Sequence, residues 1–270
     1  FILPWLERLG HPVPRWDFRL PGVTSISADV HKYGYAAKGA SVLLHRDMDH
    51  MRHQFFVTTG WAGGIYASPT LAGTRPGGPV AAAWAAMQSL GEDGYLALAA
   101  RALAATKRLR DGVEAIPQLR LLGAFHAPVV TWTTVPGVDV YAVADLMTAR
   151  GWPCDRQQAP PSVHLTVNAS NDVAVDAYLA DLAACAAEAQ AHPELAKQGE
   201  AAMYGMMAKV PVQGLVNHSV GKVLEGMYGP DGALPDLANL DSDGDPVLAF
   251  LNRFGDRAIG LLDRVRGAQA

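Results

Sequence analysis

Cysteine is nearly absent. Cys154 and Cys185 are the two in 270 residues, too few for a disulfide framework and without Cys-x-x-Cys spacing. Charge of one sign is not in excess either: 22 basic against 26 acidic side chains leave a net −4 and a pI near 6.1. Such a chain has no general attraction for a phosphate backbone, which excludes a non-specific nucleic-acid binder. No apolar run reaches the ~18 residues of a membrane span. The chain opens at Phe1-Ile2-Leu3-Pro4-Trp5-Leu6 with neither a Met nor a basic stretch, so this is not a signal peptide. It reads like the middle of a core element, and the chain is treated as a possible fragment. What is present is a hydrophobic fraction of 50%, too high for a disordered chain. At roughly 150 residues per domain, the length fits one large domain or two small ones. These bounds describe a reduced, soluble protein of cytoplasmic type.

Two strand-like runs, residues 23–28 and 40–45, flank a segment that holds the charged groups Asp29, His31, Lys32 and Lys38. A hairpin gathers those groups at one sheet end, a usual place for ligands. Residues 58–79, rich in Gly, Thr and Pro, lack clear periodicity and predict a functional loop. An Ala-rich helical stretch follows over 80–110, broken at Gly91-Glu92-Asp93-Gly94. Residues 113–190 read as a βαβ-type module, with strands at 119–122, 129–134 and 163–167 and helices at 141–150 and 173–191. Asn171 and Asp172 are the expected cap of the second helix. The pattern weakens after His192; a loop is expected over 226–245 and a short helix over 246–266.

A lysine beside a histidine at a strand end has a specific chemical use. A desolvated or charge-tuned amine condenses with an aldehyde, and pyridoxal phosphate needs such a lysine together with donors for its phosphate. Lys32 is the candidate amine and His31 its neighbour; from these two residues alone, solvated surface lysines on a turn remain the alternative.

The wider string Ser25-Ile26-Ser27-Ala28-Asp29-Val30-His31-Lys32-Tyr33-Gly34-Tyr35-Ala36-Ala37-Lys38-Gly39 resembles the cofactor-lysine segment of the sphingosine-1-phosphate lyase family. These are group II decarboxylase-like, fold-type I pyridoxal-phosphate enzymes. Gly63-Gly64-Ile65-Tyr66-Ala67-Ser68-Pro69-Thr70-Leu71-Ala72-Gly73-Thr74-Arg75-Pro76-Gly77-Gly78 resembles the loop that follows that lysine. The shorter Ala202-Met203-Tyr204-Gly205-Met206 is similar to a motif near the family's carboxyl end. The resemblance implies an α/β fold: the end of the large cofactor domain over 1–111, a small α+β domain over 112–200, and an extension over 201–270 carrying Tyr204. It further implies that Lys32 holds pyridoxal 5'-phosphate covalently, that His31 lies beside the ring, and that Lys38 holds the substrate phosphate. Gly73 and Thr74 match residues that reach the cofactor phosphate of a neighbouring subunit, so a homodimer with shared sites is expected; family members often have Ser in place of Thr74. Tyr204 matches a tyrosine near the site with a part in catalysis. In the family, the Asp that pairs with the ring nitrogen stands immediately before the point matching Phe1. The chain therefore resembles the second half of a lyase, and alone is expected to be inactive.

The implied reaction is retro-aldol cleavage of a phosphorylated long-chain base to a fatty aldehyde and phosphoethanolamine. An amino-acid decarboxylase of the same branch is the near alternative, and Lys38 speaks against it because a small amino acid has no distal phosphate. A non-catalytic interaction protein that keeps the fold is the alternative from another class. His45, His50 and His53 fit no metal-ligand spacing, so no metal is expected. Asp241 to Asp245 lacks the glycine position and closing Glu of a calcium loop. Trp61 is a candidate for lining a substrate channel, and the two cysteines read as structural.

Overall fold

A computed structural model of the chain describes residues 1–70 and 72–209, with 221, 224, 225 and 228–230 in addition. The loop expected over 226–245, residues 228–230 apart, lies outside the described residues, as do the helix over 246–266 and most of the 201–270 extension. The chain divides into two compact units, Phe1–Val135 with His164–Ala184 and Pro136–Val163 with Cys185–Ala270.

The first unit opens with α1 (Leu3–Arg8), which takes Pro4 in its first turn, where no N–H is missed. Leu6 is fully buried with Ile2 and Ala99, and the Trp5 ring stacks on Tyr95 at 5.2 Å. The expected strands form β1 (Ser25–Asp29) and β2 (Ser41–His45), antiparallel, with Ser25 opposite His45 and Asp29 opposite Ser41. A short α2 (Met48–Met51) follows, its start held by the Asp47 side chain.

The sequence predicts loop from residue 58; the structure instead forms a hairpin of β3 (Phe56–Trp61) and β4 (Gly64–Ser68). Phe56, Val57, Thr58, Ile65 and Tyr66 favour extended backbone. Both faces of the ribbon are largely exposed, so no alternation marks it in the sequence.

α3 (Gly77–Glu114) breaks at Gly91, with φ 58° and ψ −169°, where the sequence places the break. Beyond it Ala99, Ala102, Ala105, Leu109 and Val113 are buried at helical spacing. β5 (Leu119–Leu122) and β6 (Val129–Thr134) form where the strand pattern predicts them, and they pair antiparallel, Leu119 opposite Thr134. Trp132, fully buried, donates its indole N–H to the Tyr178 hydroxyl at 3.2 Å.

In the second unit, α4 (Val140–Ala149) is capped by Asp139, whose carboxylate accepts from the backbone N–H groups of Tyr141 and Ala142 at 2.9 Å each. The polar β7 (Asp155–Gln158) is a strand absent from the sequence reading. With β8 (Pro161–Thr166) the sheet order is β5-β6-β8-β7. The cap expected at Asn171 and Asp172 is replaced by Asn168, three residues earlier. A 3₁₀ stretch, Ala169–Ala174, precedes α5 (Val175–Ala191), and the Asn168 side chain accepts from Ser170 N–H while Asn171 reaches back to the Asn168 amide. α6 (Gly199–Lys209), in the second unit, is a further helix the weak pattern after His192 does not predict.

Candidate active site

His31, Lys32 and Lys38 all lie on the turn that joins β1 to β2. Its shape is dictated locally. Val30 is fully buried in a cluster with Ala40 and Ala83, and a Cβ on Gly34 would stand 2.3 Å from the Val30 carbonyl oxygen. Only glycine fits there. Tyr35, with φ 55°, is the one non-glycine residue with positive φ among the described residues, a strained conformation of the kind concentrated at functional sites.

Tyrosine hydroxyls fasten the turn to distant backbone. Tyr33 donates to the carbonyls of Pro128 and Val167, both at 3.0 Å, Tyr95 donates to the Gly34 carbonyl at 2.8 Å, and the Tyr35 hydroxyl accepts from Ala169 N–H at 3.2 Å. Burial pushes the Tyr33 and Tyr95 phenols above their ordinary range, so they stay protonated donors.

On this fixed backbone Lys32 stands open, its side chain 66% exposed, and its amine meets Asp29 at 2.6 Å. Asp29 also accepts from the Ser41 hydroxyl at 2.5 Å; the Lys32 bond first and the Ser41 bond second hold its carboxyl down at about 2. His31 donates from Nδ1 to the Ala40 carbonyl at 2.7 Å, which fixes the ring's direction. Lys38 is exposed at the other end of the turn. The sequence already gathers Asp29 with these groups at one sheet end but gives it no role; its pairing with Lys32, three residues on, is what the structure adds.

Gly73 and Thr74 lie between β4 and α3, Gly73 at φ 57° and Thr74 exposed. Together with Arg75, Pro76, Gly77, Val80, Ala81 and Trp84, Gly73 lines an open concavity of about 690 Å³. The same stretch meets the lysine turn, because Pro79 packs where a Gly39 Cβ would stand, 3.3 Å from its Cγ, and Ala83 shares the Val30 cluster. The structure thus brings Lys32, His31, Lys38 and the start of α3 into one neighbourhood. Tyr204 belongs to the second unit, on α6, with its ring 5.4 Å from that of Tyr141 and under the Arg156 guanidinium at 5.6 Å.

The donors present match an aldehyde-bearing phosphate ligand: an accessible amine for the carbon, and a hydroxyl with glycine-rich backbone for an anion. No protein-family model matches the chain. It is 41% identical over 228 residues to a sphingosine-1-phosphate lyase of Arabidopsis thaliana, covering 84% of this chain and 42% of that protein. To sphingosine-1-phosphate lyase 1 of Rattus norvegicus it is 35% identical over 235 residues, 86% of this chain and 41% of that one. Among solved structures, a Burkholderia pseudomallei sphingosine-1-phosphate lyase superposes with a TM-score of 0.67 at 43% identity, over 72% of this chain and 45% of that one. A Lactobacillus brevis glutamate decarboxylase shares the fold alone, with a TM-score of 0.58 at 19% identity over 70% of this chain and 45% of that one. The fold is that of the fold-type I pyridoxal-phosphate enzymes. The chain spans about two fifths of the length of the curated relatives it matches.

Proposed function

We propose that this chain, which resembles the sphingosine-1-phosphate lyases over more than four fifths of its length, is the lysine-bearing part of such a lyase. The reaction is cleavage of the C2–C3 bond of a phosphorylated long-chain 2-amino-3-hydroxy base, giving a fatty aldehyde and phosphoethanolamine. Pyridoxal phosphate, when bound, supplies an electron sink for the bond being broken. The residues of this chain do the rest by position. Lys32 offers the amine that attaches the cofactor, and the ion pair with Asp29 at 2.6 Å holds that amine in position. His31, oriented by its bond to the Ala40 carbonyl, would lie beside the pyridoxal ring. Lys38 meets the substrate phosphate, so binding energy is gathered away from the reacting carbons. Thr74 and the Gly73 backbone hold the cofactor phosphate of a neighbouring subunit, and the Tyr204 hydroxyl takes part in the cleavage.

One observation carries this reading. A single turn, pinned by the hydroxyls of Tyr33 and Tyr95, presents Lys32 and Lys38 outward from its two ends. A decarboxylase has no use for the second lysine. The test is chemical: in the complete protein, borohydride reduction followed by mass spectrometry is expected to leave a pyridoxyl group on Lys32, and Lys32→Ala to abolish both adduct and turnover. A reduced group found on Lys38 instead overturns the assignment.

A further inference from the structure

We propose that Arg156 and Asp145 are positioning residues that set the place of the Tyr204 ring; this rests on the reading that the Tyr204 hydroxyl takes part in the cleavage. The Arg156 side chain is only 6% exposed, a costly place for a guanidinium unless it is paired. It meets Asp145 at 2.5 Å and Glu200 at 2.9 Å, and also donates to the Cys154 carbonyl at 3.3 Å. The other oxygen of Asp145 accepts from the backbone N–H of Ala201 at 2.8 Å, in the first turn of α6. Gly199 leaves the room for this, since a Cβ there would stand 3.0 Å from that oxygen.

A carboxylate on α4 therefore fixes the start of α6, and the arginine on β7 fixes the carboxylate. Within the next turn of α6 the same guanidinium lies over the Tyr204 ring at 5.6 Å, and Tyr141 of α4 lies 5.4 Å from it. Tyr141 is itself held, donating to the Gln157 carbonyl on β7 at 2.6 Å. Three elements converge on one aromatic ring. An ion pair around a buried guanidinium is weak support for stability and is often replaceable by apolar packing. What this one adds is direction: it ties the helix start and the ring to the same two side chains.

The experiment compares Arg156→Met, Arg156→Lys, Asp145→Asn and Tyr204→Phe in the complete, cofactor-loaded enzyme. Arg156→Met is expected to lower kcat about ten- to a hundredfold with KM within about twofold, the signature of a misplaced group rather than lost binding. Arg156→Lys, which keeps the charge, is expected to recover part of that loss. Hydrogen exchange of the α6 amides is expected to quicken in Arg156→Met and Asp145→Asn. Added to Tyr204→Phe, Arg156→Met is expected to cost less than about a further twofold, because both act through one ring. Fully multiplied losses overturn the proposal, as does wild-type kcat in Arg156→Met. If Tyr204→Phe is impaired while Arg156→Met is not, only the positioning proposal falls; if Tyr204→Phe turns over like wild type, the reading of Tyr204 falls and takes the proposal with it. Should Arg156→Met not fold, the near-isosteric Asp145→Asn carries the same comparison.

Discussion

Lys32 and Lys38, six positions apart on one turn, are given different tasks by the proposed reaction, and each carries its own measurement. A lysine ammonium is a compact point charge, and its charge-assisted bond to a phosphate contributes roughly 1.5–3 kcal/mol. At about 1.4 kcal/mol per decade, Lys38→Ala is expected to cost about ten- to a hundredfold in kcat/KM on a phosphorylated sphingoid base. The cofactor absorbance is expected to stay unchanged, and activity on the unphosphorylated analogue hardly to move. Equal losses on both substrates would show that Lys38 does something other than hold phosphate. Asp29 makes the pH prediction. Its carboxyl in the folded chain titrates at about 2 instead of 3.8, chiefly through the Lys32 bond. A depressed carboxyl stabilises the fold fully above its unfolded pKa, and that contribution fades as pH falls from about 4 toward 2. An NMR titration of Asp29 is expected to show the low midpoint, and Lys32→Ala to return it toward the ordinary range. A wild-type midpoint near 4 contradicts the pairing.

At the scale of the elements, the lysine turn depends on Tyr33, whose hydroxyl bridges the carbonyls of Pro128, just before β6, and Val167, just after β8. Tyr33→Phe keeps the ring but leaves those acceptors without their donor, which is expected to destabilise the complete protein by about 1–3 kcal/mol. Denaturant midpoints check the size, and amide exchange over residues 30–40 checks that the turn loosens first. No loss in either would mean that water replaces the hydroxyl. This bond spans 95 and 134 residues of chain, and no local pattern announces it. That is the general limit of the sequence here. β1, β2, β5, β6 and the break at Gly91 were legible because apolar periodicity and glycine punctuation are local. β7 was not, because Asp155-Arg156-Gln157-Gln158 lies at the sheet edge with no apolar face to betray it. The β3–β4 hairpin was missed for a related reason: a ribbon exposed on both faces needs no alternation. His31, Lys32 and Lys38 were readable as a string, whereas the Arg156–Asp145–Tyr204 cluster joins three elements and existed only once they were folded together.

At the scale of the whole molecule, apolar surface gathers on either side of the Gly73–Thr74 stretch. Val57, Trp61 and Ile65 on the hairpin are 65%, 54% and 78% exposed, and Val80 and Trp84 on α3 are 64% exposed each. Scattered exposed hydrophobes are ordinary, but side chains this large flanking one short segment form an apolar surface of the kind a neighbouring subunit would cover. The neighbouring subunit of the proposed function would be a second copy set against this surface. Arg75 and the backbone around Gly73, with Thr74 beside them, would supply donors for an anion within that apolar frame, and in the proposed homodimer a two-fold interface would present each loop to the other subunit. The proposed shared site then has a stoichiometric consequence. In a chain with Lys32→Ala the loop is intact, and in a chain with Thr74→Asp, which sets a carboxylate against the phosphate, the lysine is intact. Each homodimer lacks one component at both sites. A heterodimer brings the good lysine of one chain to the good loop of the other once, and pairs the two lesions at its second site. Equal mixing of the complete proteins under conditions of subunit exchange is expected to restore about a quarter of wild-type activity, half the dimers being mixed and half of their sites competent. Mixtures that stay as inactive as either parent, while differently tagged wild-type chains exchange freely, would show that each subunit builds its site from its own loop.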